Sequence, residues 1–160
     1  MTTTIKFLNL MDLINKYSSK IDIIKDKHLN LLSELSITSH LDTPLYLENV
    51  KKINEMGCIL VAYLENPLSD KFDIIASGTI MIEPKLIREG KNVGHIEDIV
   101  VKNMYRGNHI SSDILALFKN IARENDCYKI IMDCDEKIKK VYLKSGFEEK
   151  GIQMAIYFDN

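Results

Sequence analysis

The chain has 160 residues, a formal net charge of −2, 46% hydrophobic residues and 28% charged residues. That is one domain's worth of chain, with enough apolar content for a core and too much Ile, Leu and Val for disorder. Seven Gly and three Pro exclude collagen-like or linker composition; no apolar run approaches the ~20 residues of a bilayer span, and the charge lacks the basic footprint of a non-specific nucleic-acid binder.

The N-terminal 27 residues carry the weakest pattern. Ile5–Leu8 reads as a strand, and Ile21–Ile24 suits either strand or helix. Leu29, Leu31, Leu32 and Leu35 predict a short helix over His28–Ser36. Thr43 followed by Pro44 reads as an N-cap with Pro at the first helical position, opening a helix that Gly57 stops. Cys58–Leu64 is a continuous apolar run, the pattern of a buried strand. Asn66-Pro67 and Ser69-Asp70 are turn chemistry, so Asp73–Ile82 should return as the second strand of a hairpin. Val93–Val101 reads as a third strand with Glu97 and Asp98 side by side in its middle.

Beyond it, Ile110, Ile114, Leu117, Phe118 and Ile121 mark a helix over Ile110–Arg123. Tyr128–Met132 is a short strand. Glu136–Lys144 is a short helix with Asp135 as cap and Gly146 beyond its end. Two closing strands are expected, around Phe147 and at Ile152–Phe158. The order predicts one α/β (α+β) domain over residues 1–160, with a mixed, mostly antiparallel sheet and helices on both faces.

Three cysteines, Cys58, Cys127 and Cys134, form neither a CxxC pair nor a disulfide ladder, and read as reduced thiols. The first residues lack the basic stretch and cleavage site of a signal peptide, so a cytoplasmic location is expected. The four histidines have no metal-ligand spacing, and no metal is expected.

Four features carry chemistry. The strand-to-helix junction Val101–Ile110, with Arg106 and Gly107, would leave free backbone N–H groups at a helix N-terminus, which favour a phosphate or pyrophosphate. Glu97 and Asp98 are adjacent, and adjacent strand residues point to opposite faces. Either the strand is an edge with both acids solvated, or a β-bulge re-aims one of them and frees a backbone N–H. Tyr142 shares a helix face with Ile138 and suits a core position as well as a functional one. Asp133 ends a strand, where α/β sheets place ligands and where turns also place Asp.

Gly94–Val101 (GHIEDIVV), Arg106-Gly107, Cys127–Lys137 (CYKIIMDCDEK), Val141–Phe147 (VYLKSGF) and Ile152–Phe158 (IQMAIYF) together resemble the glucosamine-6-phosphate N-acetyltransferase branch of the GNAT superfamily of N-acetyltransferases. The resemblance covers roughly Leu31–Phe158 and is strongest from Gly94 onward. It implies a GNAT fold with a bulged central strand, and transfer of the acetyl group of acetyl-CoA onto the amine of D-glucosamine 6-phosphate. The product would be N-acetyl-D-glucosamine 6-phosphate, made on the way to UDP-N-acetylglucosamine. It also implies a homodimer with shared active sites. A transferase for another small amine and a non-catalytic CoA-binding relic are the alternatives.

Residue by residue, the resemblance places the thioester and pantetheine against the backbone of Ile99, Val100 and Val101. The pyrophosphate would lie at Arg106, Gly107, Asn108, His109, Ile110, Ser111 and Ser112. It sets Tyr142 beside the CoA sulfur, with Lys144 nearby. Glu97 and Asp98 would serve the amine, with Asp133 reaching the sugar of the neighbouring subunit. Lys85, Leu86, Ile87 and Arg88 stand where the family contacts the sugar phosphate, and Ser36 where a Thr faces the sugar. Three departures stand out. His109 and Ser111 replace small residues of the pyrophosphate loop, Ile138 replaces an Asn, and Tyr157 replaces an Arg of the fungal branch that reaches the phosphate, leaving Arg88 to supply that charge.

Overall fold

The computed structural model describes residues 4–66 and 71–158. Four strands form an antiparallel meander: β1 (Ile5–Asn9), β2 (Gly57–Asn66), β3 (Lys71–Pro84) and β4 (Asn92–Val101). β5 (Cys127–Ile131) joins β4 in parallel, and the sheet order follows the chain order. Three helices precede β2: α1 (Leu10–Lys16), α2 (Ile21–Leu32) and α3 (Thr43–Met56). α4 (Ile110–Glu124) crosses over from β4 to β5, and α5 (Lys139–Lys144) follows. The expected mixed sheet with helices on both faces is therefore present. The Asn66–Asp70 turn expectation falls largely outside the described residues, at 67–70.

β2 is apolar throughout because both its faces are covered. Ile59, Val61 and Tyr63 pack with Leu10, Ile24 and Tyr46 of the first three helices, while Cys58, Leu60 and Ala62 pack with Ile114 and Phe118 of α4. Alternate residues of a strand thus feed two cores. Gly57 does not stop α3 by a left-handed turn; its φ is 171°, extended. It is needed because a Cβ there would sit 1.9 Å from the carbonyl oxygen of Ile80 on β3.

Helix boundaries differ from the sequence expectation in instructive ways. Leu10–Lys16 folds as a helix capped by Asn9, whose side chain accepts from the Met11 N–H at 2.9 Å. Ile21–Leu32 is one helix rather than a separate piece beginning at His28, because Ile24, His28 and Leu31 share one buried face. The cap of α3 is Asp42, which accepts from the Leu45 N–H at 2.9 Å; Thr43 is already helical and donates to Asp22 on α2. α5 is only Lys139–Lys144, with Asp135 instead accepting from Lys137 N–H in the preceding turn.

The two closing strands do not form. From Phe147 to Phe158 no described residue has a sheet partner, and Ile152, Met154, Ile156, Tyr157 and Phe158 are 82–92% exposed. Their apolar character reads as a strand in sequence, but among the described residues nothing pairs with them.

His28 is buried at 3% exposure. One ring nitrogen meets the Tyr46 hydroxyl at 2.9 Å and the other the Ser77 hydroxyl at 3.0 Å. Both partners are neutral, and burial lowers the imidazole to about 4 from an ordinary 6.5. A base whose folded pKa is depressed binds its proton more readily when unfolded, so stability falls as pH drops from 6.5 toward 4. Between pH 7 and pH 5 the loss should be about 2 kcal/mol, or roughly 4–8 °C in melting temperature. Thermal melts at the two pH values check this, and in His28→Gln the difference should largely vanish.

Candidate active site

The acidic pair is resolved by a bulge. Glu97 lies opposite Thr79 and Val100 opposite Ser77, so Asp98 and Ile99 together face Gly78 alone. Asp98 takes the left-handed conformation at φ 52°, which Asp tolerates better than most residues. The extra residue switches the alternation of β4. Ile96 packs on the α4 side before the bulge, and Ile99 and Val101 pack there after it; Val100 joins the core under α2 and α3. Glu97 and Asp98 are exposed. Gly78 allows α4 to come down on this point, since a Cβ there would lie 3.1–3.3 Å from Phe118, Ile114 and Ile99.

β4 pairs with β5 only from Asn92 to His95, where His95 lies opposite Ile131. From Ile96 onward β4 has a neighbour on one side only, and its other backbone edge faces a gap. Asp133 and Cys134 follow β5, and both lie near enough to Tyr142 to act on it. Glu97 feels Asp133 and Asp98; burial first, then these two carboxylates, raise it above the ordinary carboxylate range, while His95 opposes them. Tyr142 is 8% exposed, stacks edge-on with Phe147 at 6.2 Å, and is raised by burial and by Cys134 and Asp133. It is a core aromatic that lies near Cys134 and Asp133. Four predicted residues, Glu97, Asp98, Asp133 and Tyr142, thus come together within one chain.

The junction after β4 is a tight loop. Arg106 Nε donates to the Val101 carbonyl at 2.9 Å, and its guanidinium lies 3.6 Å from Glu34. Glu34 also accepts the Asn103 N–H at 2.8 Å, which brings the turn holding Ser36 to this end of the sheet. Asn108 Nδ2 donates to the Tyr105 carbonyl at 3.0 Å. Gly107 has φ 83° with open space around it, and His109, where the family's loop has a small residue, is left-handed at φ 60° with no capping bond. His109 therefore adopts a glycine-like backbone, a strain on the order of 1–3 kcal/mol. The first turn of α4 begins at Ile110, Ser111 and Ser112, whose N–H groups have no partner inside the helix. Ile110 is buried, and Arg106 is committed to structure rather than free.

At the opposite end, Lys85 is bonded to Glu83, and Arg88 lies 5.6 Å over the Tyr128 ring of β5. Arg88, Glu89 and Gly90 are all left-handed, which throws Leu86 and Ile87 outward; Leu86 is fully exposed. Lys144 is exposed on α5, and Tyr157 lies in the exposed tail, away from Lys85 and Arg88 of its own chain in sequence and without sheet pairing. Two residues absent from the sequence reading belong to this region: Glu83 and His95, with His95 Nε2 2.5 Å from Glu83 Oε2. The signal was available, because His95 and Glu97 are two apart on one strand and share a face. Among the described residues no group of His, Cys, Asp and Glu could hold a metal ion, and no helix is long and apolar enough to cross a membrane.

Residues 27–147 match the model of the acetyltransferase (GNAT) family. The chain is 39% identical over 131 residues to a probable glucosamine 6-phosphate N-acetyltransferase of Oryza sativa, covering 80% of this chain and 78% of that one. It is 33% identical over 145 residues to the glucosamine 6-phosphate N-acetyltransferase of Trypanosoma brucei, covering 83% and 97%. The crystal structure of glucosamine-6-phosphate N-acetyltransferase from Arabidopsis thaliana superposes with a TM-score of 0.77 at 30% identity, over 99% of this chain and 100% of that one. A bulged strand splayed from its parallel neighbour, a helix N-terminus at its end, and these likenesses agree: the chain belongs to the acetyltransferase (GNAT) family.

Proposed function

We propose that this protein moves the acetyl group of acetyl-CoA onto the amine of D-glucosamine 6-phosphate, releasing N-acetyl-D-glucosamine 6-phosphate and CoA, and so supplies UDP-N-acetylglucosamine synthesis in the cytoplasm. The observation that carries the reading is the end of β4–β5 pairing at His95, just before the bulge at Asp98, with Glu97, Asp133 and Tyr142 gathered nearby. Acetyl-CoA enters as co-substrate. Its pantetheine would lie along the unpaired edge of Ile99–Val101, with its pyrophosphate against the N–H groups opening α4.

The chemistry needs a neutral amine, a donor for the developing oxyanion and help for the leaving thiolate. A carboxylate of the Glu97, Asp98 and Asp133 group accepts the ammonium proton, directly or through water. The raised carboxyl of Glu97 brings its basicity nearer to working pH. The amine nitrogen then attacks the thioester carbon. A backbone N–H at the bulge steadies the oxyanion. The C–S bond breaks, the thiolate takes a proton from the Tyr142 hydroxyl, which burial keeps protonated, and the second proton leaving the amide nitrogen returns to the tyrosinate through water. Lys85 and Arg88 would hold the sugar phosphate by charge-assisted bonds, with Lys85 exchanging Glu83 for the phosphate.

A homodimer with shared sites completes the reading. The tail at Ile152–Phe158 is largely apolar and exposed, and the β5 edge of the sheet has no partner among the described residues. A second copy of the chain is the partner that would cover both. That arrangement carries Tyr157 away from its own site and toward the partner's, and sets Asp133 beside the interface.

Thiol release from acetyl-CoA with a panel of amino sugars, with and without 6-phosphate, tests the substrate. Glucosamine 6-phosphate should be turned over with at least tenfold higher kcat/KM than glucosamine, since each lost charge-assisted bond costs about 1.5–3 kcal/mol. Tyr142→Phe should lower kcat about 10–1000-fold while the melting temperature and CoA affinity stay close to wild type. Turnover at the wild-type rate, with chemistry rate-limiting, would leave Tyr142 a packing residue only. Light scattering should give a dimer for the full chain and a monomer or an aggregate once residues 152–160 are removed.

A further inference from the structure

The register of β3 and β4 sets a line of polar side chains on one face of the sheet. Glu83 lies opposite Val93, His95 opposite Met81, and Glu97 opposite Thr79. Glu83 and His95 are therefore diagonal neighbours across the two strands, and His95 and Glu97 successive residues on one face of β4. Glu83 uses both carboxylate oxygens, one for Lys85 and the other for His95 Nε2 at 2.5 Å. A carboxylate only accepts, so Nε2 carries the hydrogen. On its other flank, His95 faces the acidic group of Glu97, with Asp98 next on β4 and Asp133 arriving past the end of β5. Three carboxylates converge there, and His95 is the cation among the groups acting on Glu97.

We propose that His95 is a positioning residue for acetyl transfer: clamped by Glu83, it holds a positive charge beside Glu97 so that the carboxylates at the gap stay ready for an ammonium substrate. This rests on the function proposed above. Without an opposing charge, partial burial and then Asp133 and Asp98 would favour a protonated Glu97, which neither attracts an ammonium nor accepts its proton. Glu83 links the two ends of the site, since the carboxylate that orients His95 also holds Lys85 at the phosphate end.

The test is the pH profile of kcat/KM for the amine. Removing the His95 charge raises the Glu97 carboxyl further, so the acid limb in His95→Gln should move to higher pH by roughly 0.3–1 unit. Activity well above the limb should return to near wild type. Glu83→Gln removes the clamp and should move the limb the same way by less. Lys85→Ala should raise KM for a phosphorylated amine without an upward shift. A limb that stays in place in a folded His95→Gln variant overturns the proposal, as does an equal loss at every pH, which would mark a structural role. The profiles are measured with whichever amine of the panel is turned over. A wild-type enzyme that prefers another amine would therefore sink the glucosamine 6-phosphate reading and leave this test standing.

Discussion

One inserted residue governs the site. Asp98 and Ile99 on β4 together oppose Gly78 on β3, and everything beyond that point on β4 changes face. A regular strand could not satisfy this sequence. With strict alternation, Ile96 and Val100 would share one face, and Glu97, Ile99 and Val101 the other. The carboxylate of Glu97 would then be driven into the same core as two branched aliphatic side chains, at a desolvation cost of several kcal/mol. The bulge sends Ile96, Ile99 and Val101 to α4 and Val100 to the opposite core. Glycine at position 78 is the complement, because any side chain there would meet Phe118 and Ile114. The bulge also stands just past the point where β4 leaves β5, on a stretch whose β5 side carries no strand partner among the described residues.

The electrostatics follow from that geometry. Carboxylates from β4 and from the end of β5 converge beside the gap. Their mutual repulsion is tempered by water and by His95. This end of the face is acidic, with Glu97 and Asp98 exposed to water. Positive charge lies at the other end of the same face, on Lys85 and Arg88, each engaged by a partner, Glu83 and Tyr128 respectively. An elongated ligand with an amine at one end and an anion at the other matches this polarity.

The loop into α4 shows how a local rule can be broken while the shape is kept. His109 sits at φ 60°, the conformation a small residue would favour there, and the surrounding bonds hold it in place: Arg106 to the Val101 carbonyl, Asn108 to the Tyr105 carbonyl, and Asp113 N–H to the His109 carbonyl. The N-terminus of a fifteen-residue helix therefore still opens onto the end of β4, with its dipole and free N–H groups directed there.

Periodicity alone determined much of the architecture. The apolar run Cys58–Leu64 and the 3.6-residue pattern over Ile110–Arg123 locate β2 and α4, because burial on one or two faces imprints a period, while for the short last helix Gly146 marks the end and Asp135 does not mark the start. The adjacent acids in GHIED announce a distortion for the same reason. Tertiary structure decided what no period encodes. The cap of α3 is Asp42 rather than Thr43, since Thr43 is drawn to Asp22 of another helix. His28 became a core residue because Tyr46 and Ser77, distant in sequence, meet its two nitrogens. Glu83 joined the site through strand register, which only pairing fixes. The strand pattern of Ile152–Phe158 states that this segment can pair, but a strand needs a neighbour, and among the described residues none pairs with it.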